Sequence, residues 1–150
     1  MSSSESYLGY EQQAGFDAGA GRAAWDEPHE YEAPAHLRLN RWGLTGDWTV
    51  RSDASALNGA KGLLAYQFHA RDVNLVMGPA RKGAAVRFRV LLDGESAGPA
   101  HGADVDASGN GVVVQQRLYQ LIRQSGSIRD RRFEIEFLDS GAEAFCFTFG

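Results

Sequence analysis

Residues 86–92, VRFRVLL, indicate the fold class. Their apolar side chains occupy every second position, and two arginines and a leucine lie between them. Residues 133–138, FEIEFL, follow the same rule with two glutamates in the alternate positions. A period of two is typical of β-strands with one face on a core, because successive side chains point to opposite sides of a sheet.

Further strands are predicted on both sides of these two. Phe145, Phe147 and Phe149 are expected to share one face, and apolar runs also occupy residues 46–50, 63–70, 73–77 and 112–122. Turn pairs such as Asn58-Gly59 and Asp93-Gly94 separate the runs. Seven or eight strands in one domain indicate an all-β fold, a β-sandwich of two antiparallel sheets with a closed barrel as the alternative. Helical turns are expected only at residues 11–16 and 53–57.

Composition excludes several functional classes. The chain has 150 residues and a formal net charge of −4, which argues against a nucleic-acid binder, since such proteins carry a basic excess. Its single cysteine, Cys146, permits neither an internal disulfide nor a CxxC pair. No apolar stretch has the length needed to cross a bilayer, and the start shows no signal-peptide pattern, so direct membrane insertion is not expected.

The first 36 residues differ from the rest and are interpreted as an N-terminal arm or linker that packs on a sandwich body of residues 37–150. Residues 1–40 contain seven acidic and two basic side chains, a net charge of −5. Tyr7, Leu8 and Tyr10 are too apolar for a free linker. They are therefore the predicted partner-docking residues.

Two sequence motifs suggest specific chemistry, a pair of carboxylates and a calcium-like loop. Glu134 and Glu136 lie on one face of a strand and offer the paired carboxylates of a glycosidase, but a salt-bridged outer face explains them better. Asp104, Asp106 and Ser108 place oxygen ligands at alternate positions before a glycine, as calcium loops do, although Gln115 stands where a bidentate carboxylate is needed. No cofactor is expected from the sequence, and a calcium ion in this loop is the alternative.

Sugar recognition needs an exposed aromatic ring beside planar hydrogen-bonding groups. Trp42, at a predicted strand edge, is the preferred ring, because Trp48 alternates with Val50 and is expected in the core. Outward polar strand positions, among them Gln67, Asn74 and Gln120, supply amide and guanidinium groups. The ligand-binding candidates are Trp42, His69, Arg71, Asp72, Gln115 and Arg117.

The chain resembles the C-terminal domain of DipZ-type proteins over nearly its whole length and in the same order. The matching segments are residues 5–10 (ESYLGY), 39–42 (LNRW), 68–77 (FHARDVNLVM), 87–94 (RFRVLLDG), 101–106 (HGADVD), 117–124 (RLYQLIRQ) and the ending 133–150. The resemblance implies a jelly-roll β-sandwich like a carbohydrate-binding module. In that family a thioredoxin-like domain precedes this one, often behind a membrane domain of the cytochrome c biogenesis type.

The resemblance also implies what the chain does not do. The cysteine motif of the family belongs to the thioredoxin-like neighbour, so thiol-disulfide exchange is not expected of this polypeptide. The first hypothesis is a non-catalytic accessory domain that binds a glycan or similar polar ligand. The alternative is a scaffold that docks on a thioredoxin-like domain, in cis or in trans. The resemblance favours the extracytoplasmic side, and soluble two-domain relatives keep the cytoplasm open.

Overall fold

The computed structural model describes residues 2–12 and 14–150, and the predicted all-β class is confirmed. Short 3₁₀ turns at Tyr10–Gln12 and Gly98–Ala100 interrupt the strands, and no helix in the described part of the chain could span a membrane. The strands are β1 (Ser6–Tyr7), β2 (His29–Tyr31), β3 (Trp42–Val50), β4 (Ser55–Leu57), β5 (Gly62–His69), β6 (Asp72–Pro79), β7 (Val86–Leu92), β8 (Glu95–Ser96), β9 (Asn110–Val113), β10 (Arg117–Arg123), β11 (Asp130–Phe137) and β12 (Ala142–Phe149).

The strands form two antiparallel layers, compatible with the expected jelly roll. Sheet 1 has the order β10-β6-β12-β4-β3-β2, and β1 pairs with β12 on the same edge as β4, further along the strand. Sheet 2 has the order β3-β5-β11-β7, and β7 also pairs with β8 and β9. Most neighbouring strands are distant in sequence, so tertiary contacts rather than hairpins determine most of the register.

Strand β3 joins the two sheets. Its residues 42–45 pair with β5 in sheet 2, and its residues 46–50 pair with β2 and β4 in sheet 1. Gly46, at the change of partner, has φ 109°, and a Cβ there would lie 3.0 Å from the carbonyl oxygen of Lys61. Glycine is the residue that tolerates this conformation and this close approach.

The core lies between the two sheets and contains the inward side chains that the period of two predicts. Val86, Phe88, Val90 and Leu92 are all buried, as are Phe133, Ile135 and Phe137. Their outward neighbours on β7 and β11 are exposed or half-buried. Burial of these rings and branched chains is the main favourable term that holds the layers together.

The N-terminal segment is packed into the fold. Leu8 and Tyr31 belong to the hydrophobic core, and Phe16 and Trp25 bridge to Trp42 and Val50 in parallel. The strands β1 and β2 extend sheet 1. These contacts, rather than local propensity, order a segment that has few regular elements of its own.

Two predicted elements differ from the structure, and a third is met in part. The run 112–122 is two strands, because the Tyr119 hydroxyl donates to the Gln115 carbonyl at 2.7 Å and accepts from the Val114 amide, which holds a turn between β9 and β10. The helical turn at residues 53–57 is wrong, since β4 there pairs with both β3 and β12. A 3₁₀ turn covers part of residues 11–16, of which residue 13 lies outside the described chain.

A β-bulge changes the predicted face of Phe145. The register shifts between Ala144 and Cys146 in the pairing of β12 with β6. An extra residue in one strand breaks the strict alternation. Phe147 stays in the core, whereas the half-buried Phe145 lines a surface groove with Tyr7 and Cys146.

Candidate functional site

The outer face of sheet 1 carries an apolar row beside a polar row. In the apolar row Tyr7 pairs with Cys146, Cys146 with Val76, and Val76 with Leu118, so one row crosses β1, β12, β6 and β10. Tyr7 is 40% exposed and Leu118 41%. Cross-strand partners at these positions share one face of a sheet.

The polar row lies two residues along the same strands. Thr148 pairs with Asn74, and Asn74 with Gln120. Their strand neighbours Val73, Leu75, Tyr119 and Leu121 are buried in the core. The amide groups of Asn74 and Gln120 therefore lie on the outer face, beside the apolar row.

A shallow cleft of about 190 Å³ opens at the end of the polar row, and we call it the Asn74 cleft. Strands β6 and β10 and the loop at residues 101–103 form its walls. Its lining groups are polar apart from one alanine, one glycine and one isoleucine. The lining residues are Asp72, Asn74, His101, Gly102, Ala103, Gln120, Ile122 and Arg123.

Charge in the cleft is centred on Asp72. Its carboxylate accepts hydrogen bonds from the Arg71 guanidinium, with the shortest contact from Nη2 to Oδ2 at 2.9 Å. The Nε of Arg123 lies 4.0 Å from the other carboxylate oxygen. Arg71 thus fixes the carboxylate, while the more distant and largely exposed Arg123 can turn toward a ligand.

His101 adds an imidazole to the cleft, and its hydrogen bond to a carbonyl oxygen indicates which ring nitrogen carries the proton. Its Nδ1 lies 3.0 Å from the Gly102 carbonyl oxygen. Because a carbonyl oxygen only accepts, Nδ1 donates, and Nε2 of the neutral ring remains an acceptor. The cleft therefore combines amide, imidazole, carboxylate and guanidinium groups, which suit a polyhydroxylated ligand.

Trp42 is not a binding platform, and that prediction is wrong. The side chain is fully buried, its indole Nε1 donates to the Ala14 carbonyl at 3.1 Å, and its ring centroid is 4.5 Å from that of Phe16. The N-terminal segment covers the strand edge at which an exposed ring was expected. The large apolar area of the Trp42 side chain is therefore buried in the core, where it stabilises the fold.

The other predicted ligand-binding residues do not form one site. Asp72 lines the Asn74 cleft and Arg71 is attached to it, whereas His69 pairs with Asp130 at 2.8 Å beside Ser2, Ser3 and Ser4. Gln115 lies in the turn between β9 and β10. Arg117 binds Asp104 at 2.9 Å and covers the Tyr119 ring, 3.8 Å from its centroid.

The carboxylates of the predicted calcium loop have partners within the chain. The Asp104 carboxylate accepts hydrogen bonds from the Arg117 guanidinium and, at 2.8 Å, from the backbone amide of Gln120. The Arg117 contact is the main cause of the lowered pKa of Asp104. Asp106 accepts from the amides of Ser108 and Asn110, both at 2.9 Å. A calcium ion would therefore compete with these hydrogen bonds. Among the described residues, no group of three or more His, Cys, Asp or Glu side chains could hold a metal ion.

Glu134, one of the two carboxylates considered for hydrolysis, lies in an ion pair. Its Oε2 is 3.3 Å from Nε of Arg132, and both side chains are mostly buried. Arg132 also donates to the carbonyl oxygens of Pro34 and Ala35. This contact fastens the N-terminal segment across the outer face of sheet 2, which is a structural role.

The three predicted docking residues are divided by the structure. Leu8 is fully buried and its amide donates to the Phe145 carbonyl at 2.9 Å, so its assignment as a contact residue is wrong. Tyr10 is half-buried against Trp25 and donates to Asp26. Tyr7 alone is exposed and lines a groove of about 280 Å³, which we call the Tyr7 groove.

Sequence reasoning did not select His101 and Arg123 for the cleft, and it treated Asn74 and Gln120 only as outward polar positions. The alternation around Asn74 and Gln120 does identify them as outward. What brings them together is the pairing of β6 with β10 across more than forty residues of chain. Local patterns carry no information on that register.

Comparison with known proteins identifies the family. No curated protein shows significant sequence similarity to the chain. The family model for the thioredoxin-like C-terminal domain matches residues 3–150, which is nearly the whole chain. The narrower attribution to DipZ-type proteins stays a prediction. The chain therefore belongs to the family of thioredoxin-like C-terminal domains, and it is an accessory domain of a thioredoxin-family protein.

Proposed function

We propose that this accessory domain is non-catalytic and binds a glycan or a similar polar ligand on the outer face of sheet 1. The observation that carries the proposal is the apolar row beside the polar row, which leads into the Asn74 cleft. A pyranose ring has apolar C–H patches and a rim of hydroxyl groups. Such a ring matches a surface with one apolar and one hydrogen-bonding half.

Each half has an assigned role. The exposed side chain of Leu118 and the half-buried Val76 supply apolar contact. The amides of Asn74 and Gln120 donate to and accept from hydroxyl groups, because each carries both kinds of group. Of the described residues that line the cleft, Arg123 is the one cation, and its Nε, 4.0 Å from the Asp72 carboxylate, can turn toward a ligand.

The test is a titration of the ¹⁵N-labelled protein with neutral and acidic oligosaccharides, followed by NMR. We expect shifts in the backbone and side-chain amides of Asn74 and Gln120. Tryptophan fluorescence is a poor readout, because the described lining of the cleft contains no tryptophan. If no saccharide at millimolar concentration shifts these amides, the proposal is wrong.

A pair of variants supplies the control. Asn74→Ala with Gln120→Ala should weaken saccharide binding by about tenfold, from the loss of two or more hydrogen bonds. Gln67→Ala, on the outer face of sheet 2, changes the same kind of side chain away from the cleft. Equal loss of binding in both proteins would place the ligand elsewhere.

A second candidate function is docking on a thioredoxin-like domain. The observation that favours it is the Tyr7 groove, where an aromatic side chain is 40% exposed on a segment that is otherwise anchored by the buried Leu8. An exposed apolar group on a rigid support is typical of interaction surfaces. Titration with the cognate thioredoxin-like domain, with Tyr7→Ser as the variant, tests it.

A further inference from the structure

The Tyr7 groove lies between the N-terminal segment and β12. Its floor includes Cys146, which is 8% exposed, and its walls include Tyr7 and the bulged Phe145. Gly9 packs against the residue 52–53 backbone so closely that a Cβ would lie 2.4 Å from the Ser52 carbonyl oxygen. The Glu11 amide also donates to the Ser52 carbonyl at 3.0 Å, so hydrogen-bonded backbone holds this wall of the groove.

Four carboxylates lie in the lining of this groove or within two contacts of it, and we call them the acidic rim: Glu5, Glu11, Asp53 and Glu143. Glu11 and Asp53 line the groove itself. Glu5 accepts a hydrogen bond from the Tyr7 hydroxyl at 2.6 Å, and it acts with burial to raise the pKa of Cys146.

Among the residues that the structure describes, one cation contacts the acidic rim. Arg51 lies 2.8 Å from Glu143 and 3.6 Å from Asp53. Four carboxylates against one guanidinium leave a net charge of −3 around an apolar groove. A partner that covers the groove must tolerate or neutralise this charge.

We infer that the Tyr7 groove binds a basic segment of a partner protein, with an apolar side chain in the groove and lysines or arginines against the acidic rim. The inference rests on the docking candidate and adds the chemistry of its partner. A second copy of the chain fits poorly, because the protein itself has a net charge of −4. At about 280 Å³ the groove suits one side chain and its backbone better than a larger molecule.

The probes are three synthetic peptides that differ in one property each. The first has a central phenylalanine flanked by lysines, the second replaces the lysines with glutamates, and the third replaces the phenylalanine with glycine. NMR titration of the ¹⁵N-labelled protein reports both affinity and location. We expect the first peptide alone to shift the amides of Tyr7, Gly9 and Cys146, and its affinity to fall at high salt.

Charge and apolar contact are separated by variants. Glu11→Gln with Asp53→Asn should weaken binding of the lysine peptide about fivefold at low salt, as expected for two rim charges. Glu95→Gln, an exposed carboxylate on β8, is the matched control and should leave affinity unchanged. Tyr7→Ser should reduce affinity, whereas Ile128→Ser, at another exposed apolar position, should not.

The outcomes distinguish the inference from the function on which it rests. If the glutamate peptide binds the groove as well as the lysine peptide, docking stands and the basic partner is wrong. If the cognate thioredoxin-like domain docks on another surface, or if the chain dimerises through the groove, the inference is wrong. If neither the peptides nor that domain shifts the groove amides, both fail.

Discussion

The ring of Phe16 packs against the ring of Trp42 in a tilted arrangement, with 4.5 Å between centroids and 36° between planes. Phe16 belongs to the acidic N-terminal segment, and Trp42 opens the strand that joins the two sheets. The contact continues outward through Trp25 to Tyr10. An aromatic chain thus connects the surface of the N-terminal segment to the centre of the core.

This contact predicts that the N-terminal segment contributes to global stability. Phe16→Ala should lower the free energy of unfolding by about 2–3 kcal/mol, somewhat less than for a fully buried phenylalanine. Denaturant unfolding measures the change. Leu39→Ala, at a position 44% exposed, should change stability by less than about 0.5 kcal/mol. An equally small effect of Phe16→Ala would show that the segment is loosely attached.

Ser55 should stabilise the fold through one hydrogen bond. Its hydroxyl is fully buried and donates to the Leu8 carbonyl at 2.7 Å. Ser55→Ala leaves that carbonyl without this donor and should cost about 1–3 kcal/mol. Thermal or denaturant unfolding measures the loss, and Ser140→Ala at an exposed turn is the control. Similar stability for both variants would contradict the role of this bond.

Acid should weaken the contribution of Asp104 to the stability of the fold. Arg117 and the backbone amide of Gln120 hold the pKa of this carboxyl below its ordinary value. The folded state therefore favours the charged form. The resulting stabilisation is fully present above the unfolded-state pKa of about 3.9 and is lost as pH falls through the folded-state pKa.

Asp104→Asn measures that contribution. The parent protein should be more stable than the variant at neutral pH, and the difference should shrink below about pH 4. Denaturant midpoints at a series of pH values provide the measurement. Glu95→Gln should match the parent at neutral pH. A gap between parent and Asp104→Asn that widens in acid would contradict the assigned direction.

Cys146 should be a slow nucleophile in the folded protein. Burial, followed by the effect of Glu5, raises the pKa of its thiol to about 11. Because the thiolate is the reactive form, alkylation by iodoacetamide at mildly alkaline pH should be about a hundredfold slower than for an unperturbed thiol. Mass spectrometry before and after addition of urea compares the two states. Equal rates would show that the thiol is neither buried nor protonated as the structure indicates.

Side-chain periodicity predicted the all-β class and several strands with useful accuracy. The strand at Val86–Leu92 has the predicted bounds, and β11 differs from its prediction by a few residues. These segments are predictable because alternation is a local property of one strand. Residues 53–57 were mispredicted because pairing with the adjacent strand β3 and with β12, which is remote in sequence, overrides local preference.

The candidate site likewise combines features that local alternation predicts with features that only strand pairing determines. Period two placed Asn74 and Gln120 on outer faces, and charge along the chain identified an acidic N-terminal segment. Strand register brought those amides together with His101 and Arg123, and one bulge turned Phe145 into the Tyr7 groove. The same packing buried Trp42. The sequence by itself determined which faces are apolar, because alternation is local; only the tertiary structure decided which residues meet, because strand pairing joins positions far apart in the chain.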